Sequence, residues 1–149
     1  MFFKKKYTVL YDGKTVDLEN TEYKKNISDK EKEELENYIK ENSDKLNISL
    51  PNSNTIYIKE NGIIVGFITY TLTPDEINID RLYVFPKFRE KNFAIKLVTL
   101  VLMERTKKHE QIIIRAQPDP DTIPKEKLIT FYSKFSYKNE RKNIIKITW

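Results

Sequence analysis

The residues best placed to do chemistry lie in a short basic loop between a strand pattern and a helix pattern. Ile77, Ile79, Leu82 and Val84 read as a strand whose alternation breaks at Asp80-Arg81. Pro86 ends that strand, because proline has no N–H to give to a ladder. From Asn92 the apolar spacing changes to Phe93, Ile95, Leu97, Val98, Val101 and Leu102, a helix buried on much of its circumference. Strand, loop and helix N-terminus in that order offer unpaired backbone N–H groups to an anion. Lys87, Arg89, Lys91 and Lys96 surround the loop. The pattern predicts a phosphate-bearing ligand seated at residues 89–95, although the same spacing also suits a structural turn with solvated lysines.

Other chemistries are excluded by composition. The 149 residues contain no cysteine, which removes thiol nucleophiles, disulfides and cysteine metal sites. His109 is the single histidine, in the polar end of a helix pattern, so a transition-metal site is not expected. A length of 149 residues, with 39% hydrophobic and 33% charged residues, predicts a single domain large enough for a real core. No apolar run approaches the ~20 residues needed to cross a bilayer, so no membrane association is expected. The opening Met-Phe-Phe-Lys-Lys-Lys is the reverse of a signal peptide, and the simplest compartment is the cytoplasm. A net charge of +5 and a pI near 9.2 suit an anionic ligand, but the charge is too evenly spread to demand nucleic acid.

The elements that must position the loop can be read in order. Residues 5–18 predict a hairpin about the turn Asp12-Gly13. Ser28 with Glu31 forms a capping box that opens a helix to about Asn42, with Leu35, Tyr38 and Ile39 inward. Residues 43–54 read as a loop, and residues 55–72 as a hairpin about Asn61-Gly62. After the long helix, residues 111–116 predict a strand parallel to the one before it by the right-handed crossover rule. Pro118, Pro120 and Pro124 mark a loop, residues 126–135 a second helix with Leu128, Ile129, Tyr132 and Phe135 on one face, and residues 143–149 a closing strand.

Leu82-Tyr83-Val84-x-Pro86-x-x-Arg89-x-x-Asn92-x-Ala94 resembles the acetyl-CoA motif of the GNAT N-acetyltransferase superfamily. That motif runs Gln or Arg, two free positions, Gly, one free position, then Gly or Ala. Asn92 stands where the family has its middle glycine, and asparagine is the non-glycine residue that best tolerates positive φ. The order of elements fits the same family over nearly the whole chain. The resemblance implies an α+β GNAT acyl-CoA N-acyltransferase fold, with a central mixed, mostly antiparallel sheet flanked by helices. Its departures are the N-terminal hairpin, the single early helix and a short C-terminal end.

By that resemblance, acetyl-CoA is the co-substrate. Backbone groups of Leu82, Tyr83 and Val84 would pair with its pantetheine arm. The N–H groups of Arg89, Glu90, Lys91, Asn92, Phe93, Ala94 and Ile95 would take the pyrophosphate. Phe131-Tyr132-x-x-Phe135-x-Tyr137 resembles the family's F-Y-x-x-x-G-F signature shortened by one residue, with Ser136 near the glycine's place. The tyrosine of that signature is the usual general acid and maps onto Tyr132, which its helical face equally suits as a core residue. Asp80 is the candidate base, with Glu76 next; both types also occur as surface carboxylates.

The function expected is an N-acetyltransferase acting on a primary amine of a small molecule, peptide or protein, as a monomer or homodimer. Two alternatives stay open. One is a GNAT-type toxin directed at RNA-bound amines, relying on a basic face built from Lys4, Lys5, Lys6, Lys138, Arg141 and Lys142. The other is a CoA-binding interaction module without catalysis. The acceptor is expected between the 43–54 loop, the splayed strands and the 138–143 turn.

Overall fold

The computed structural model describes residues 8–43, 50, 54–74, 76–104, 112–116, 124–139, 142–143 and 145–148. Two sheets organise them. The larger has the order β10 (Ile145–Thr148), β7 (Ile112–Ala116), β6 (Glu76–Val84), β5 (Ile63–Leu72), β4 (Asn54–Glu60), β3 (Glu22–Lys24). Within it β10–β7 and β7–β6 are parallel, and the remaining pairs are antiparallel. The smaller sheet has the order β2 (Lys14–Thr15), β1 (Thr8–Tyr11), β8 (Phe135–Asn139), β9 (Lys142–Asn143), with antiparallel pairing throughout. Helices α1 (Asp29–Asn42), α2 (Phe93–Leu102) and α3 (Lys125–Ser133) complete the structure.

Both hairpin turns form where the sequence places them, for the same reason. Asp12 and Gly13 have φ of 52° and 78°, and Asn61 and Gly62 have 53° and 79°. Two successive positive φ values match the turn's twist to that of its strands, and Asp, Asn and Gly reach them at least cost. Helix α1 starts at its capping box: the Ser28 hydroxyl accepts from the Glu31 N–H at 3.2 Å, and the Ser28 N–H donates to the Glu31 carboxylate at 3.1 Å. An ion pair between Lys24 and Glu31 ties this helix start to β3.

The larger sheet is covered on both faces. Ile56, Ile58, Ile68, Ile77 and Ile79 pack with Leu97, Val98 and Val101 of α2. Tyr57, Phe67, Tyr83 and Phe85 pack with Leu35 and Ile39 of α1. This double covering explains why Thr55 to Ile58 are buried without alternation. Helix α2 is apolar on most of its surface because β1 of the N-terminal hairpin packs on it besides the larger sheet. Thr99, buried within it, satisfies its hydroxyl by donating to the Ile95 carbonyl at 2.8 Å.

The break in alternation at Asp80-Arg81 is a β-bulge. Thr69 pairs with Arg81 and Tyr70 with Ile79, so Asp80 is the extra residue. Ile77 and Ile79 face α2 before the bulge, and after it the even-numbered Leu82 and Val84 pack on that cluster instead. Tyr83 and Phe85 consequently turn to the α1 side.

Three features differ from the sequence expectation. Helix α3 stops at Ser133, and Phe135 opens β8. Phe135 is buried all the same, because inward side chains at the end of a helix and the start of a strand satisfy one apolar stripe. The closing strand is divided into β9 and β10, which belong to different sheets. The short strand β3, unread in the sequence, forms the edge next to β4; its three residues are exposed, so no apolar pattern marks it. His109, Pro118, Pro120 and most of the 43–54 loop lie outside the described residues.

Candidate cofactor cleft and active site

Strand β6 outruns its parallel partner. The two strands pair from Glu76↔Ile113 to Ile79↔Ala116, and β6 then continues to Val84 on β5 alone. A bidentate ion pair clamps the paired end: Arg115 Nε and Nη2 donate to the two Glu76 carboxylate oxygens at 3.1 and 3.2 Å. Those bonds hold the Glu76 carboxyl below the usual carboxylate range. The strands part at the Asp80 bulge.

Backbone direction beyond the bulge follows from two hydrogen bonds. The Phe85 N–H donates to the Val65 carbonyl at 3.0 Å, which turns the peptide groups of Phe85 and Tyr83 toward β5. The Val84 carbonyl accepts from Arg89 Nε at 2.9 Å, on the opposite edge. By strand alternation, Leu82 and Val84 present their N–H and C=O groups to the open edge, where β7 no longer covers them.

The basic loop follows directly. Pro86–Phe88 forms one 3-10 turn, in which the Arg89 N–H is bonded back to the Pro86 carbonyl at 3.3 Å. This amide was expected to serve an anion; the turn uses it instead, and the outward-pointing donors are those of the first turn of α2. Glu90 and Asn92 have φ of 66° and 65°. Asn92 therefore adopts the left-handed conformation for which the family motif uses glycine. Glu90 adopts it too, a strain of roughly 1–3 kcal/mol of the kind concentrated at functional loops. Cationic groups lie over aromatic rings around the loop: Arg89 over Tyr83 at 5.4 Å, Lys87 and Lys91 over Phe88 at 5.9 and 5.8 Å, and Lys96 over Phe93 at 5.7 Å.

A cleft of about 290 Å³ opens along this edge. Leu82, Tyr83 and Val84 form its strand side, and Arg89, Glu90, Phe93 and Ala94 its loop and helix side. Lys91 and Asn92 are exposed outside the lining, and Ile95 is half-buried toward the N-terminal hairpin. The remaining walls are Phe88 and, from α3, Lys127, Leu128 and Phe131. None of these four is marked as a cleft residue by the sequence pattern. Leu128 belongs to the apolar stripe with Tyr132 and Phe135, and Phe131 lies beside that stripe, so both look like core positions in the sequence.

Tyr132 is 2% exposed within the core, and burial raises its hydroxyl pKa well above the usual tyrosine range. It is not among the residues lining the cleft, whereas its neighbour Phe131 is. Asp80 is exposed on the bulge, and partial desolvation raises its carboxyl pKa. Glu76, the second carboxylate considered, is engaged by Arg115 at the closed end of the strand pair. Lys4, Lys5, Lys6 and Arg141 of the proposed basic face lie outside the described residues. Among the described residues, no helix is long and apolar enough to cross a membrane, and no cluster of His, Asp or Glu could hold a metal ion.

The acetyltransferase (GNAT) domain family matches residues 23–145. No curated protein matches the sequence closely enough to count as a relative. Among solved structures, the chain is similar to a ribosomal-protein-alanine N-acetyltransferase from Brucella melitensis, with 13% identity and a TM-score of 0.55 over 85% of this chain and 98% of that one. It is also similar to an aminoglycoside acetyltransferase from an uncultured soil metagenomic sample, with 14% identity and a TM-score of 0.56 over 89% and 98%. A third, the aminoglycoside N-acetyltransferase AAC(6')-Iy in complex with CoA, has 13% identity and a TM-score of 0.51 over 86% and 100%. The parted parallel strands, the loop after Val84 and the match over residues 23–145 lead to one conclusion: the chain belongs to the GNAT family of acetyl-CoA-dependent N-acetyltransferases.

Proposed function

We propose that this protein transfers an acetyl group from acetyl-CoA to a primary amine of a small molecule, peptide or protein. The observation that carries the reading is the open edge of β6, where the peptide groups of Leu82 and Val84 lead directly into the turned loop before α2. An extended, amide-bearing arm fits that edge as an added strand would. Phe93, Leu128 and Phe131 give the cleft an apolar cover for it. The first-turn N–H groups of α2 and the lysines nearby suit the pyrophosphate. Ala94 in the cleft wall is small enough to admit it closely.

When bound, acetyl-CoA supplies the activated acetyl thioester. The chain's contribution is chiefly to hold acyl carbon and amine together, since proximity and orientation account for much of such a rate. A backbone N–H of the open edge can also donate to the acyl oxygen. Asp80, where the strands part, takes the proton of the incoming ammonium; its raised pKa makes it a better base than an ordinary surface aspartate. Tyr132 is the proposed proton donor for the departing thiolate. Burial keeps its hydroxyl protonated, so it can donate a hydrogen bond to the thiolate, while the same desolvation makes it a weaker acid than an ordinary tyrosine. Its place beside Phe131 favours this role, and its 2% exposure weighs against it.

The test is acetyl transfer to a panel of peptides, aminoglycosides and polyamines, followed by release of free thiol. The reading expects amine-dependent thiol release with at least one class. Tight acetyl-CoA binding with no transfer to any amine would favour the interaction module instead.

A further inference from the structure

We propose that Tyr11 is a positioning residue for acetyl-CoA, acting through Phe131, and that the N-terminal hairpin braces the wall of the cleft. This rests on the reading of the cleft as the cofactor site. The hairpin lies ahead of residue 23, where the family match begins. It joins β8 rather than the larger sheet, with the register Thr8↔Lys138 to Tyr11↔Phe135.

That pairing builds a three-ring cluster. Tyr11 meets Phe135 edge-on at 4.8 Å and Phe131 at 5.7 Å, and Phe131 meets Phe135 edge-on at 5.3 Å. Phe131 is the member that also lines the cleft. The hairpin turn secures the same helix at its end, where the Asp12 N–H donates to the Lys134 carbonyl at 2.8 Å.

Helix α3 needs outside support. It has nine residues, and Pro124 at its N-cap supplies no side-chain bond. A helix this short without an N-cap bond is marginal on its own, so its position is set by what packs on it. On its other side the hairpin borders the first turns of α2, with Tyr11, Val16, Asn92 and Ile95 around one cavity. One hairpin thus touches both helices that wall the cleft. Without the Tyr11 ring, Phe131 loses a fixed neighbour, and a ligand must then order that wall as it binds.

The experiment measures the acetyl-CoA dissociation constant by calorimetry, together with amide hydrogen exchange of α3 in the ligand-free protein. The variants are Tyr11→Ala, Tyr11→Phe, Phe131→Ala and the Tyr11→Ala/Phe131→Ala double. Tyr11→Ala should weaken binding about three- to tenfold, the range that ring contacts of this kind are worth, and should speed exchange in α3. Tyr11→Phe should bind within about twofold of the parent, because the contacts are made by the ring. The double variant should bind no more weakly than Phe131→Ala, because Tyr11 acts through Phe131. Unchanged affinity in folded Tyr11→Ala, equal damage from Tyr11→Phe, or additive losses would each overturn the brace. If Phe131→Ala binds as the parent does, the cleft assignment itself fails. Should Tyr11→Ala not fold, Tyr11→Leu fills the space without a ring and carries the same expectation.

Discussion

Gly66 offers the sharpest test of how the open edge is held. It sits in β5 opposite Val84, and a methyl group added there would lie 2.8 Å from the Tyr83 carbonyl oxygen and 3.2 Å from Val84 Cγ2. Its third neighbour is Val84 Cα at 3.3 Å. Two of these atoms are backbone, so Gly66→Ala must push the β5–β6 ladder apart rather than rotate a side chain. Overpacking of this kind costs about 1–3 kcal/mol. In a chain of this size that lowers the melting temperature by roughly 2–12 °C. Because Leu82 and Val84 form the proposed cofactor edge, acetyl-CoA affinity should fall with stability. Urea unfolding at constant m-value and calorimetric titration at a temperature where the variant stays folded measure the two effects. A variant with parental stability would refute the close approach of the strands. One that is destabilised but binds acetyl-CoA normally would refute the assignment of the edge.

The remaining predictions concern the loop and the proposed proton transfers. Asn92→Gly should leave stability nearly unchanged, whereas Asn92→Ala should cost roughly 1 kcal/mol, since alanine gains nothing from its φ of 65°; equal stability of the two by denaturant melts would remove the backbone argument. Asp80→Asn should lower kcat/KM strongly. In the parent, kcat/KM should rise with pH as Asp80 deprotonates, with a midpoint above the ordinary aspartate range because partial desolvation raises its pKa; a pH profile indifferent to the substitution would exclude Asp80 as the base. Tyr132→Phe should slow transfer by ~10²-fold with cofactor affinity nearly unchanged. A parental rate, or loss of folding, would return Tyr132 to the core.

Much of this arrangement was legible because local rules and tertiary packing agree. The Asp12-Gly13 and Asn61-Gly62 turns, the Ser28–Glu31 box and the Pro86 stop are each fixed by the backbone chemistry of one or two residues. The loop at residues 89–95 could be located because its departure from the family glycine, Asn92, is the residue that best replaces it. What could not be read depends on contacts distant in sequence. The Asp80 bulge left only an interruption in a pattern, and its meaning appears when Thr69 and Tyr70 supply the register. Glu90 gives no sign of its positive φ, because glutamate is not a residue that favours it. Leu128 and Phe131 look like ordinary helix positions until β1 and β8 fix which face of α3 meets the cleft. The exposed β3 carries no apolar signal, and its pairing is decided by β4.

The central claim is that the open edge of β6 and the loop before α2 hold acetyl-CoA. Thermal unfolding with millimolar acetyl-CoA, free CoA and ATP in parallel tests it most directly. A ligand present at ~100 times its dissociation constant adds roughly 2.7 kcal/mol to the folded state. The account predicts a clear rise in the unfolding midpoint with acetyl-CoA and with CoA, and none with ATP. No shift with either thioester or thiol would contradict it, and would mean that Glu90 and Asn92 close the loop to the pyrophosphate.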